Sequence, residues 1–300
     1  MYWFKNVCGS TIRIKSTLLP ILCIAICSYI AANKARGQDH FTLLPANLIH
    51  LNGYLENDIQ NSIAHWNKGV VPYSGFVQVF KKGREYFAQV EMWGKAVRSG
   101  SMLYRYTRDH ELEAILDATV ADLLSARREN GSISTSEVSK QPDGPGGDLW
   151  ERTYVLLGLD DYYRYVNPDS AVLKAMIEEA DCTLSQIWPP PKVSIVDQGW
   201  IPNNIESSTI LEPIMRLYKL TGYERFFNFA KYILGEGGTR DYNIIELAFN
   251  DIASYKMGGT YPKAYEMMSL FEGLVEYYRV IGNNHWKQTI MNLYQNIRSV

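Results

Sequence analysis

Apolar side chains recur at helical spacing along most of this 300-residue chain. Leu112, Ile115, Leu116, Val120 and Leu123 fall on one face of a predicted helix, and the stretch from Leu173 to Ile187 has the same periodicity. Four segments share one signature, an amphipathic helix ending in a Tyr-basic pair, a short turn, then a second amphipathic helix. They are Met102 to Glu111, Asp161 to Asp169, Arg216 to Glu224, and Glu276 to Asn283. Their aligned tyrosines, Tyr104, Tyr163, Tyr218 and Tyr278, recur about every 55–60 residues, the mark of a repeated unit. Gly222 and Gly282 suit the left-handed residue that ends a helix, and Pro168 cannot continue one. Strand-like alternation is weak and confined to pieces such as Phe76–Phe80 and Lys192–Val196. The pattern predicts an all-α fold, a toroid of helical hairpins.

Common helical solenoid units are about 34–47 residues long, and the surplus here lies in long connections between hairpins. Asn130–Gly147 and Trp188–Asn204 are rich in Gly, Pro, Ser and Gln. Connections longer than about 12–15 residues in a compact domain usually carry function. Each joins the end of one hairpin to the start of the next, so all fall on one rim. A polar cleft is expected at that mouth, shaped for an extended polar ligand.

The first 37 residues stand outside this pattern. Lys5, Arg13 and Lys15 precede an apolar run from Thr17 to Ala32, and Ala35 and Gly37 supply small residues before a mature chain starting at Gln38. This is the layout of a cleaved secretory leader. The run is shorter than the ~20 residues of a spanning helix, and Pro20 interrupts it. Cys23 follows Leu22 and Cys27 follows Ile26, so neither fits a lipoprotein signal. The domain expectation is a signal peptide over 1–37 and a helical domain over 38–300, placed in the periplasm or outside the cell with no membrane attachment after cleavage. The leader holds five basic and no acidic residues, leaving 25 Lys+Arg against 32 Asp+Glu, a net charge of −7. That balance argues against nucleic acid or anionic lipid as partner. Cys182 alone remains of four cysteines, so the mature chain can form neither an internal disulfide nor a multi-cysteine metal site, and a buried structural thiol is expected. The five histidines are scattered without an i,i+4 pair.

Unusual residues gather at the starts of the first helices of the hairpins. In Trp93-Gly-Lys95-Ala-Val-Arg98, Lys95 and Arg98 beside an indole can stack on and hydrogen-bond a sugar ring. A solvated basic face with a packed Trp reads the same residues. In Asp148-Leu-Trp-Glu151-Arg152-Thr-Tyr154, the Asp148/Glu151 spacing fits a capping box, while Arg152 and Tyr154 lie too early for ordinary outer-face residues. In Glu206-Ser207-Ser-Thr209-Ile-Leu-Glu212-Pro213, a capping box between Thr209 and Glu212 is the favoured reading. In Lys263-Ala-Tyr265-Glu266-Met-Met-Ser269, the pair Lys263/Glu266 is either an i,i+3 ion pair or a carboxylate on an inward helix, suited to general-acid work.

At these residues the sequence resembles the β-L-arabinofuranosidase family of glycoside hydrolases, family 127 and its relatives. The matching stretches are Leu51-Asn-Gly-Tyr-Leu, Trp93-Gly-Lys-Ala, Asn130-Gly-Ser-Ile-Ser-Thr, Asp148-Leu-Trp-Glu-Arg, Ile210-Leu-Glu-Pro-Ile-Met-Arg-Leu-Tyr-Lys-Leu-Thr-Gly, and Lys263-Ala-Tyr-Glu-Met-Met-Ser-Leu-Phe-Glu-Gly-Leu. The resemblance implies an (α/α)6 barrel with a sugar-cleaving site at its mouth. It further implies a cysteine nucleophile held on zinc by other cysteines and a glutamate, with a second glutamate as acid/base. Those nucleophile and zinc segments belong beyond Val300, and Cys182 does not match them. No cofactor is therefore expected within this chain, and zinc only in a longer form. Positions where better-known members place sugar-contacting histidines carry Tyr154, Ser207 and Lys263, pointing to a different sugar. Four clear hairpins, with a partial one at Tyr54–Trp66, make an open arc of the six that close a barrel.

The expectation is an exported glycoside hydrolase whose sugar-binding part lies in this chain, the chain alone being inactive. Glu266 and Asp148 are its candidate catalytic residues. Trp93, Lys95, Arg98, Arg152, Tyr154, Ser207 and Lys263 are its candidate sugar ligands. The alternatives are a non-catalytic glycan-binding helical protein and another barrel enzyme such as an unsaturated-uronide hydrolase.

Overall fold

The computed structural model describes residues 3–5, 11–13, 43–82, 90–135, 147–188, 192–199, 202–257 and 263–299. At the N-terminus, β1 (Trp3–Lys5) and β2 (Thr11–Arg13) form an antiparallel pair with Trp3 opposite Arg13. The rest of the segment read as a leader lies outside the described residues. Every other regular element is helical: α1 (Tyr54–Asn61), α2 (Tyr73–Lys82), α3 (Val90–Thr107), α4 (His110–Ser125), α5 (Gly147–Tyr165), α6 (Ser170–Ile187), the short α7 (Ile205–Ser208), α8 (Leu211–Thr221), α9 (Glu224–Gly235), α10 (Ile244–Phe249), α11 (Ala264–Ile281) and α12 (Asn284–Arg298). A π-helical run, Ser62–Val70, continues α1. The partial hairpin expected at Tyr54–Trp66 is thus α1 and this run, followed by α2.

The four hairpins are α3–α4, α5–α6, α8–α9 and α11–α12. Their first helices pack side by side in the order α3, α5, α8, α11, and each second helix lies outside its partner. The short turns hold because their residues satisfy helix ends. Asp109 caps α4 by accepting from the Leu112 N–H at 2.8 Å, and Asp169 caps α6 through Ala171. Gly222 and Gly282 take φ of 69° and 70° to end α8 and α11. Leu112, Leu116, Val120 and Leu123 of α4 are buried, each such side chain contributing about 1.5–3 kcal/mol.

The central helix α5 is buried continuously from Leu149 to Tyr162, because α3, α6 and α8 enclose it. Its crossing with α3 is set by glycine. A Cβ on Gly94 would sit 2.1 Å from the Tyr154 carbonyl oxygen, and Gly158 approaches the Gly94 Cα in turn. Two sequence readings change here. Phe76–Phe80 is helical within α2, because Tyr73, Val77 and Phe80 make an i, i+4, i+7 buried stripe that outweighs the local alternation. Lys192–Val196 leads into a 3₁₀ turn (Ile195–Asp197) that buries Ile195 and Val196. Cys182 is buried on α6, as expected.

Candidate functional site

The long connections meet the starts of α3, α5, α7 and α11 on one rim, and the most unusual side chains meet there. Glu91 and Lys95 stand one turn apart on α3, as Trp150 and Tyr154 do on α5. The Glu91 carboxylate receives the Lys95 ammonium at 2.8 Å and the Trp150 indole N–H. Lys95 Nζ lies 4.9 Å from the ring centroids of both Tyr154 and Tyr265, within cation–π range. Trp150 meets Tyr154 edge-on at 4.9 Å and Tyr265 at 5.5 Å. The Tyr154 and Tyr265 hydroxyls are hydrogen-bonded to each other, and Ser269 bonds the Tyr154 phenol. Burial, with the Tyr265 hydroxyl, pushes the Tyr154 phenol well above its ordinary pKa, so it stays protonated. Trp150 and Tyr154 are each only 4% exposed, whereas Tyr265 remains 49% exposed, so Tyr265 is the ring of the three that a ligand can reach.

Glu266, the next residue on α11, is only 4% exposed. Its Oε1 is 3.8 Å from Lys263 Nζ, a loose ion pair, and its buried Oε2 has no hydrogen-bond partner among the described residues. The Ser207 and Ser208 hydroxyls on α7, which packs against α11, are also buried without partners among the described residues. Buried polar atoms are almost always paired, so these three are suited to accept or donate to a ligand or water.

Three candidates point elsewhere. Trp93 is fully buried and its indole donates to Thr119 Oγ1 of α4 at 3.0 Å. At 100° per residue, two positions separate it from Glu91 and from Lys95 by about 200°, so it faces the outer layer while they face the mouth. The same offset turns Arg152 away from Trp150 and Tyr154. Arg152 is fully buried against α6, its Nη1 donating to Thr183 at 2.9 Å and its Nε 3.2 Å from Glu179. Glu179 also receives the Ile133 N–H, and Glu151 receives both the N–H and hydroxyl of Thr135, which anchors the Asn130–Thr135 connection. Arg98 faces inward but lower, paired to Asp161 at 3.0 Å. The Asp148 side chain lies outside the described residues.

Lower on the same inner face is a cluster that sequence reasoning missed. Thr209 and Glu212 form no capping box: the Thr209 hydroxyl donates to the Glu206 carbonyl, and Glu212 pairs with Arg216 at 2.7 Å, with Arg98 at 3.9 Å. Arg216 also reaches Asp160 at 3.2 Å and Asp161 at 3.0 Å, and Arg164 closes on Asp160. Burial pushes the Glu212 carboxyl up to about 7 despite Arg216 and Arg98, and raises Asp160 despite Arg164 and Arg216. Burial works against the Arg216 charge, but Glu212, Asp161 and Asp160 raise its pKa above the ordinary guanidinium value. Also missed were Glu91, Trp150 and Tyr265. The i,i+4 pairs Glu91/Lys95 and Trp150/Tyr154 at two helix starts were the available signal.

A cysteine-rich zinc centre does not fit these residues. Cys182 is buried on the outer helix α6, and among the described residues no three His, Cys, Asp or Glu side chains gather to hold a metal. Among the same residues, no helix is long and apolar enough to cross a membrane.

Two solved structures share the fold. One is a GH127 β-L-arabinofuranosidase from Geobacillus stearothermophilus T6, at 15% identity and TM-score 0.61, aligned over 82% of this chain and 44% of its own. Another GH127 β-arabinofuranosidase aligns at 14% identity and TM-score 0.62, over 84% of this chain and 43% of its own. The chain thus spans less than half the length of either. No curated protein sequence matches it. The model of the GH127 β-L-arabinofuranosidase catalytic domain matches residues 49–299, and the chain belongs to that family.

Proposed function

We propose that this chain provides the sugar-binding part of an exported glycoside hydrolase of the β-L-arabinofuranosidase type. The observation that carries the reading is the mouth itself. On α11 the half-exposed Tyr265 ring, backed by the buried Trp150 and Tyr154 rings, precedes Glu266, a buried carboxylate whose Oε2 has no hydrogen-bond partner among the described residues. The exposed Tyr265 ring suits the C–H face of a sugar, and the Ser207, Glu266 and Lys263 polar atoms suit its hydroxyls. Glycoside hydrolysis needs a proton donor at the leaving oxygen and a second group to attack or stabilise the anomeric carbon. Glu266 takes the first role, with Lys263 3.8 Å away to orient it. Export rests on the leader-like layout of residues 1–37.

The test has two parts. Calorimetric titration with arabinofuranosides should show binding by the chain, and Glu266→Gln should leave it within about twofold. In a longer form that turns over, the same substitution should lower kcat by about 10²–10⁴-fold, the usual contribution of a general acid. Unchanged turnover would return Glu266 to a structural pairing with Lys263. Glycan binding with no hydrolysis in any longer form would favour a non-catalytic binding protein. A marked preference for uronides would favour an uronide hydrolase, with Lys95 and Lys263 as the carboxylate ligands.

A further inference from the structure

Beside the mouth lies a second concavity of about 380 Å³, lined by Trp66, Val70, Val71, Pro72, Phe76, Met92, Lys95, Ala96 and Ser99. Small-ligand sites run from about 300 to 1,000 Å³. Seven of its nine lining residues are apolar, so it does not suit a bare sugar ring. Its outer wall is the π-helical run Ser62–Val70, closed by the Val71 N–H to Trp66 carbonyl bond at 3.0 Å. Runs of that register are rare and concentrate at functional sites. The run leaves Trp66 59% and Val70 60% exposed, a costly arrangement for two large apolar side chains without an occupant. Lys95 belongs to both places. Its ammonium is bound to Glu91 and lies over the Tyr154 and Tyr265 rings, none of the three mouth rings lines the pocket, and so Lys95 stands between the two.

We propose that this pocket is a subsite for an aromatic ring attached to the sugar held at the mouth, seated against Trp66 and Phe76 and reached past Lys95. The proposal rests on the sugar-binding reading of the mouth. Three probes separate the two: methyl β-L-arabinofuranoside, 4-nitrophenyl β-L-arabinofuranoside and free 4-nitrophenol, each titrated calorimetrically into the chain. The nitrophenyl glycoside should bind about tenfold tighter than the methyl glycoside. Trp66→Ala and Val70→Asp, both at exposed positions, should each erase that tenfold gain and leave methyl glycoside affinity within about twofold. Equal affinity for the two glycosides, or a preference that survives both substitutions, overturns the subsite. Should neither glycoside bind while 4-nitrophenol binds in a Trp66-dependent way, the ring site stands and the sugar reading falls. No binding of any probe overturns both. Self-association in sedimentation that Trp66→Ala abolishes also overturns the subsite, since a second copy then covers the pocket.

Discussion

The inner face of the arc is polar at both ends, but its two ends are built on opposite terms. At the loop rim, Glu91 holds Lys95 and the Trp150 indole, Tyr265 is half exposed, and Glu266, Ser207 and Ser208 keep buried polar atoms without partners among the described residues. Toward the turn rim, Arg98, Arg164 and Arg216 are matched by Asp160, Asp161 and Glu212 in a shared network. The mouth has bonding capacity left over for a ligand. The floor spends its charges on joining α3, α5 and α8. Similar residue types thus serve recognition at one depth and cohesion at another.

The sharpest way to break this contrast is at the floor. Asp161→Ala removes the carboxylate shared by Arg98 and Arg216 and leaves two guanidiniums underpaired. A loss of about 3–5 kcal/mol in urea unfolding is expected, with sugar affinity of the folded protein little changed. A loss under about 1 kcal/mol would mean that water, rather than Asp161, carries those charges. Gly94→Ala tests what joins the two regions. The added Cβ collides with the Tyr154 backbone, so about 1–3 kcal/mol or more of stability should go, and sugar affinity with it, because Lys95 and Tyr154 are moved apart. Stability lost with affinity unchanged would show that the mouth does not depend on the crossing.

Glu212 offers a pH test. Its folded pKa of about 7 lies above the 4.5 of an unperturbed glutamate, so the folded state binds more protons between those values. Stability from this group is full below about pH 4.5 and declines as pH rises through 7, by an amount on the order of 1–3 kcal/mol. Glu212→Gln should flatten that part of the stability–pH curve relative to the parent, and parallel curves would refute the assignment. The smallest effect is expected at the mouth. Tyr265→Ala removes a half-exposed ring, so unfolding should shift by no more than about 1 kcal/mol while sugar affinity falls about tenfold. The reverse pattern would make Tyr265 a packing residue.

Much of the fold was legible before any coordinates. The Tyr-basic repeat, Gly222, Gly282 and Pro168 are local signals, since a helix stop or a left-handed turn depends on residues a few positions away. The site was legible only in part. Lys95 and Tyr154 were singled out and do touch, while Glu266 follows Tyr265 on α11 with Lys263 at that helix's N-cap, and Ser207 lies on α7. Trp93 and Arg152 were singled out for sitting next to them in sequence, yet two residues along a helix is half a turn, and both face the outer layer. Trp150, the indole that does face the mouth, was passed over for the same reason.

The chain's own periodicity determined that it is helical, that its helices come in four hairpins, and that its elaborated connections share a rim. Tertiary structure alone decided which face of each first helix looks inward. That choice rests on contacts far apart in sequence: the Gly94–Gly158 crossing, the Arg152–Glu179 pair behind α5, and Tyr265 reaching Tyr154 from 111 residues away. Periodicity fixes spacing along a helix but leaves its rotation free. Only packing against neighbours sets that angle, and with it which residues can touch a sugar.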